Sequence, residues 1–113
     1  MVEMSSFEQI VDLASGVELT IKQVPTNFYP GDEKNVLAVL VAQTFSPIDF
    51  IEGLQAIGLV AIKKASASEV NLEILVREKY KNLGIEEALR TSAMEIVKVL
   101  NMRLNTATTD AWT

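Results

Sequence analysis

The chain has 113 residues, 49% hydrophobic and 22% charged, which fits one globular domain with its own core rather than a disordered polymer. It contains no cysteine and no histidine, so thiol nucleophiles, disulfides and imidazole bases are excluded and no metal site is expected. Fifteen acidic residues against ten basic ones leave a net charge of −5, the wrong sign for gripping a phosphate backbone, so nucleic acid is not an expected partner.

The stretch Met1–Gln9 carries acid instead of a basic leader region, and the longest apolar run, Val36–Ala42, is far too short for a membrane span. A soluble, cytoplasmic protein without a membrane partner is the expectation. Ser5 and Glu8 have capping-box spacing, and Phe7, Ile10, Val11 and Ala14 recur at helical spacing before Gly16, which predicts a first helix. Val17–Val24 alternates apolar with polar residues and predicts a strand with one wet face. Pro25–Asn35 is a loop with strong turn chemistry at Pro30-Gly31-Asp32, and Phe28 and Tyr29 are expected to pin it to the body. Val36–Ala42, apolar throughout, predicts a central strand covered on both faces.

Ser46-Pro47-Ile48-Asp49 reads as a helix start, with Ile48, Ile51, Leu54 and Ile57 tracing a face and Gly58 ending it. Leu59–Lys64 and Glu69–Val76, joined by the small, polar link Ala65–Ser68, predict an antiparallel hairpin. A last helix runs from about Gly84 to Leu100, burying Ile85, Leu89, Ala93, Ile96 and Leu100 and exposing Glu86, Glu87, Arg90 and Lys98. Asn101 suits its C-terminal cap, and Met102–Thr109, rich in threonine, predicts a closing strand. Residues 1–113 thus read as a single α+β domain, a mixed or antiparallel sheet of about five strands with three helices.

From Val36 onward the predicted order is β-α-β-β-α-β, the order of ferredoxin-like sandwiches. That fold hosts many activities and names none. Its RNA-binding version needs exposed aromatics, which Val36–Ala42 and Glu69–Val76 lack, and its soft-metal version needs a cysteine pair.

A second architecture comes from the segment Glu69–Ala111. Leu72, Leu75 and Val76 end a strand, Tyr80 follows, and Lys81-Asn82-Leu83-Gly84-Ile85-Glu86 leads into a helix bearing Ala88, Leu89 and Ala93; Leu104 and Thr106 lie on the next strand. With the preceding strand included, residues 59–109 resemble the central βαβ segment of the GNAT acetyltransferase superfamily. The resemblance implies acetyl-CoA bound across this corner, with its pyrophosphate on backbone N–H groups at the helix start. It also implies that Leu75 and Val76, on a strand splayed from its neighbour, hold the pantetheine arm. Lys81, Asn82, Leu83, Gly84 and Ile85 would form the cofactor turn, and Glu73 would take a proton from an amine acceptor, although strand alternation equally places Glu73 on the solvated side.

Two residues depart from the motif. Glu86 stands where a glycine or alanine is usual, and Lys81 replaces an arginine or glutamine. The same turn also serves as an ordinary left-handed corner before a helix. Glu86 and Glu87 suit the first turn of any helix, and Lys63 and Lys64 either meet a 3′-phosphate or solubilise a strand end. The family's final helix and two strands have no counterpart before Thr113, which leads to the expectation that a partner subunit supplies them. Trp112 is expected to cover a core edge or to insert into such a partner. Two functions therefore stand: a small GNAT-like protein binding acetyl-CoA, an N-acetyltransferase or a degenerate relative, or a non-enzymatic, self-associating assembly or regulatory module such as a virion or complex component.

Overall fold

A computed structural model describes residues 7–44 and 56–113. In chain order they form β1 (Glu8–Asp12), β2 (Glu18–Val24), a 3₁₀ turn at Thr26–Phe28, β3 (Val36–Thr44), β4 (Ala56–Lys64) and β5 (Glu69–Val76). A second 3₁₀ turn at Glu78–Tyr80, the helix α1 (Ile85–Val99) and β6 (Arg103–Ala111) complete them. The six strands make one sheet in which each lies beside its neighbours in sequence. β1 to β5 run antiparallel in turn, and β6 returns parallel to β5.

This is an α+β molecule with a mixed sheet, but the count of elements differs from expectation: six strands and, among the described residues, one α-helix. The ferredoxin-like arrangement is overturned, because β3 and β4 are directly paired and antiparallel where a split βαβ unit makes the corresponding strands parallel and separated. The first predicted helix is the strand β1. Leu13 N–H bonds the Val17 carbonyl at 2.8 Å and Gly16 N–H bonds that of Leu13 at 2.9 Å, so the chain doubles back onto β2. Gly16 takes φ 90° in this turn, a value that glycine adopts readily. Short apolar runs fit either period, and here pairing with β2 decides. The predicted helix at Ser46 lies largely outside the described residues, and its last three positions, Ala56, Ile57 and Gly58, belong to β4.

The predicted hairpin is present, with Ala65 and Ser66 N–H groups both bonded to the Glu69 carbonyl. β3 is central as expected, its residues Ala38–Gln43 all buried. The last helix also matches, and Asn101 follows it at φ 58°. There Met102 N–H reaches back to the Val97 carbonyl at 3.2 Å, closing the helix end.

The sheet carries apolar residues on both faces. On one, α1 lays Ile85, Leu89, Ala93 and Ile96 over Leu40, Val60, Ile62, Leu72, Ile74 and Val76. Each such buried aliphatic contributes about 1.5–3 kcal/mol. On the other, Val39, Val41, Leu59, Ala61 and Leu75 gather around Tyr29, with Trp112 at the margin. Tyr29 pins its loop as expected, while Phe28 is exposed. Gly31 has a steric reason: a Cβ there would sit 2.9 Å from the Tyr29 ring.

Gly58 is where α1 comes nearest the sheet, since a Cβ on it would meet Ile85 Cγ2 and Leu89 Cδ1 at 3.0 Å. Gly58→Val is therefore expected to lower unfolding free energy by about 1–3 kcal/mol through overpacking. Urea denaturation checks this; an unchanged midpoint would contradict the close approach.

Candidate functional site

The predicted cofactor turn is built where β5 gives way to α1. Val76 ends β5, the 3₁₀ turn follows, and Asn82 (φ 70°) and Gly84 (φ 90°) reverse the chain into the helix. Asparagine and glycine tolerate this left-handed region, which other side chains resist. Among the described residues no side chain caps the helix start, whose first N–H groups lack intrahelical carbonyl partners.

A cavity of about 460 Å³ opens at this start, between the turn and the end of β6. It brings together Val76, Lys81, Asn82, Gly84 and Ile85 from the predicted set, and adds Tyr80, Thr109 and Ala111. Leu75 and Leu83 lie elsewhere. Leu75 packs on the far face of the sheet, and Leu83 lines a separate groove of about 400 Å³ between β1 and α1. Thr109 and Ala111 came from the parallel return of β6, which places its end beside that of β5.

The charge around the cavity is acidic, because Glu78, Glu86, Glu87 and Asp110 line it with one lysine, Lys81. Lys81 is already paired with Glu78. Glu86 accepts a hydrogen bond from Thr109 Oγ1 at 2.8 Å and faces Arg90 Nη2 at 3.6 Å, so it leans toward β6.

The splaying that the resemblance implies for β5 is absent. β5 and β6 remain in register through Val76 and Ala111, and Trp112 N–H then bonds the Val76 carbonyl at 2.9 Å. Its other edge is paired with β4 through Gly58 and Val76. Trp112 covers a core edge, one of its two expected places, and its ring lies 3.8 Å from the Arg77 guanidinium. Arg77 drew no attention in the sequence, since only the fold sets it over the indole.

Glu73 sits on the face away from α1, where its Oε1 accepts the Tyr29 hydroxyl at 2.5 Å. Lys63 Nζ donates to the same hydroxyl oxygen at 3.3 Å and stands 4.0 Å from Glu73 Oε2. Lys63 is thus part of this cluster rather than of the cavity. Burial, and then the bond to Glu73, push the Tyr29 phenol above its ordinary value. The Tyr29 hydroxyl beside it raises the Lys63 ammonium. The sheet separates Glu73 from the cavity. Sequence gave Tyr29 no chemical part, because its partner is 44 residues away.

No protein-family model matches the chain, and no curated protein matches it. Among solved structures, a candidate acetyltransferase from Deinococcus radiodurans R1 is similar in fold, with 13% identity and a TM-score of 0.49 over 84% of this chain and 72% of that one.

Groups raised in the folded state add stability that is complete below the unfolded value, about 10 for a phenol, and is lost as pH climbs through the raised one. Stability is therefore expected to fall on the alkaline side. Tyr29→Phe, which removes the phenol and the bond that raises Lys63, should flatten that fall and cost about 1 kcal/mol at neutral pH. Urea midpoints across the alkaline range read both effects, and an identical alkaline slope in the two proteins would contradict the assignment.

Proposed function

We propose that this chain is a small GNAT-like protein that binds acetyl-CoA at the corner between β5 and α1. The observation that carries this reading is the uncapped start of α1 opening onto a ligand-sized cavity at the carboxyl ends of two parallel strands. In this reading the pyrophosphate meets the N–H groups after Gly84, with Lys81 and Asn82 beside it. Val76 contacts the arm of the cofactor. Glu73 is the base: it removes a proton from an amine acceptor, the amine nitrogen attacks the thioester carbonyl, and the carbon–sulfur bond breaks to release the thiolate. Tyr29, bonded to Glu73, fixes the orientation of that carboxylate.

A second reading, a non-enzymatic module acting through self-association, is favoured by three observations. Four carboxylates line the cavity, and the ladder between β5 and β6 is unbroken at their carboxyl ends. β6, exposed along nearly all its length, offers an outer edge for another strand.

Calorimetric and thermal-shift titrations with acetyl-CoA and free CoA test the choice, using the natural chain and Glu86→Ala. Ligand at 100 times its dissociation constant stabilises a fold by about 2.7 kcal/mol. A half-exposed carboxylate close to a pyrophosphate opposes it by about 1 kcal/mol, so Glu86→Ala should bind about fivefold more tightly. Absence of binding in both proteins would sink the acyl-CoA reading and leave self-association, read by sedimentation, as the function to pursue.

A further inference from the structure

The cavity and Glu73 lie on opposite faces of the sheet, and the way between them passes through a seam between strands. The seam between β4 and β5 is held by a hairpin and by Arg77 N–H bonded to the Ile57 carbonyl at 3.0 Å. The seam between β5 and β6 is different. Among the described residues β6 has a neighbouring strand on one side alone, and all its residues except Ala107 are exposed. An edge strand with little buried surface is where local opening costs least.

The end of this weak seam is fastened. Val76 and Ala111 form its last registered pair, and Trp112 N–H closes it on the Val76 carbonyl. The indole lies against the apolar cluster of the far face, under the Arg77 guanidinium. Arg77 is itself tied to β4, its Nε donating to the Ala56 carbonyl at 3.4 Å. One contact thus links the end of β6, across β5, to β4. Asp110 and Ala111, just before the indole, form part of the cavity wall.

We propose that Trp112, clamped by Arg77, is a latch that holds the carboxyl ends of β5 and β6 together, and that its release opens a passage through the sheet. That an acyl-CoA arm enters there rests on the function proposed above; the opening does not. Release frees the Val76 carbonyl and the Trp112 amide, and it moves a wall of the cavity toward the face that carries Glu73.

Amide hydrogen exchange tests the latch directly, because the Trp112 N–H is one of the bonds that must break. Trp112 is also the chain's sole tryptophan, so its fluorescence reports the same event. An exposed cation–ring contact is worth about 0.5–1 kcal/mol, so Arg77→Ala should speed exchange at Trp112 by about two- to fivefold and shift its emission to the red. Amides of β3 and β4 should keep their rates. Trp112→Leu, which keeps an apolar side chain but removes the ring, should accelerate the amide at position 112 in the same way. Unchanged exchange there in both variants would overturn the latch, and so would uniform acceleration across all strands. Acetyl-CoA separates the two ideas: tighter binding to Arg77→Ala supports a latch acting on that ligand. Local acceleration without acetyl-CoA binding to either protein keeps the latch and removes the acyl-CoA reading.

Discussion

The parallel pairing of β6 with β5 is the constraint from which the rest follows. Antiparallel neighbours join through a short turn, but a parallel neighbour requires the chain to cross from one end of the sheet to the other. α1 makes that crossing. It must therefore begin at the carboxyl end of β5 and deliver β6 with its own carboxyl end alongside. The cavity lies at that junction, bounded by the left-handed Gly84, the helix start and the last residues of β6. Gly58 lets the first turns of α1 press onto β4, so the position of the helix start is fixed by packing as well as by connectivity.

That geometry presents a positive helix end to a space whose walls carry four carboxylates. The two effects oppose one another, and distance decides how they balance. Gly84, Ile85, Glu86 and Glu87 at the helix start all line the cavity, and Glu86 is held there by Thr109 and Arg90. Lys81 is occupied by Glu78 at the rim. Under the proposed function, affinity for an anion here comes from backbone N–H groups at the helix start rather than from side-chain charge.

How much of this was legible in the chain depended on whether the signal was local. α1 was legible because Ile85, Leu89, Ala93 and Ile96 repeat at helical spacing over four turns. β5 and its hairpin were legible from alternation and a short polar link. β1 was not, because Phe7, Ile10, Val11 and Ala14 satisfy a helical template while Gln9 and Val11 satisfy a strand, and the choice is made by β2. Gly58 looked like a helix stop, but its absent side chain is required by α1, about 30 residues further on. Of the candidate site, the turn from Lys81 to Ile85 could be seen in the order of residues. The Tyr29–Glu73–Lys63 cluster and the Arg77–Trp112 stack could not, since each depends on strands brought together by pairing.

Glu73 and the cavity show why face matters more than proximity in sequence. Val76 and Glu73 are three residues apart on one strand, so they point to opposite sides of the sheet. In the proposed function, Glu73 and a phosphate bound beside Gly84 serve one reaction only if a ligand threads between strands. The seam proposed to allow this is the one formed by β6, which among the described residues is paired by backbone bonds on one side alone. Closing that seam with Trp112 gives the edge strand an anchor that its small, polar side chains do not supply. The same anchor closes the passage. Stability of the β6 edge and access between the two faces are thus set against each other at one residue pair, Arg77 and Trp112.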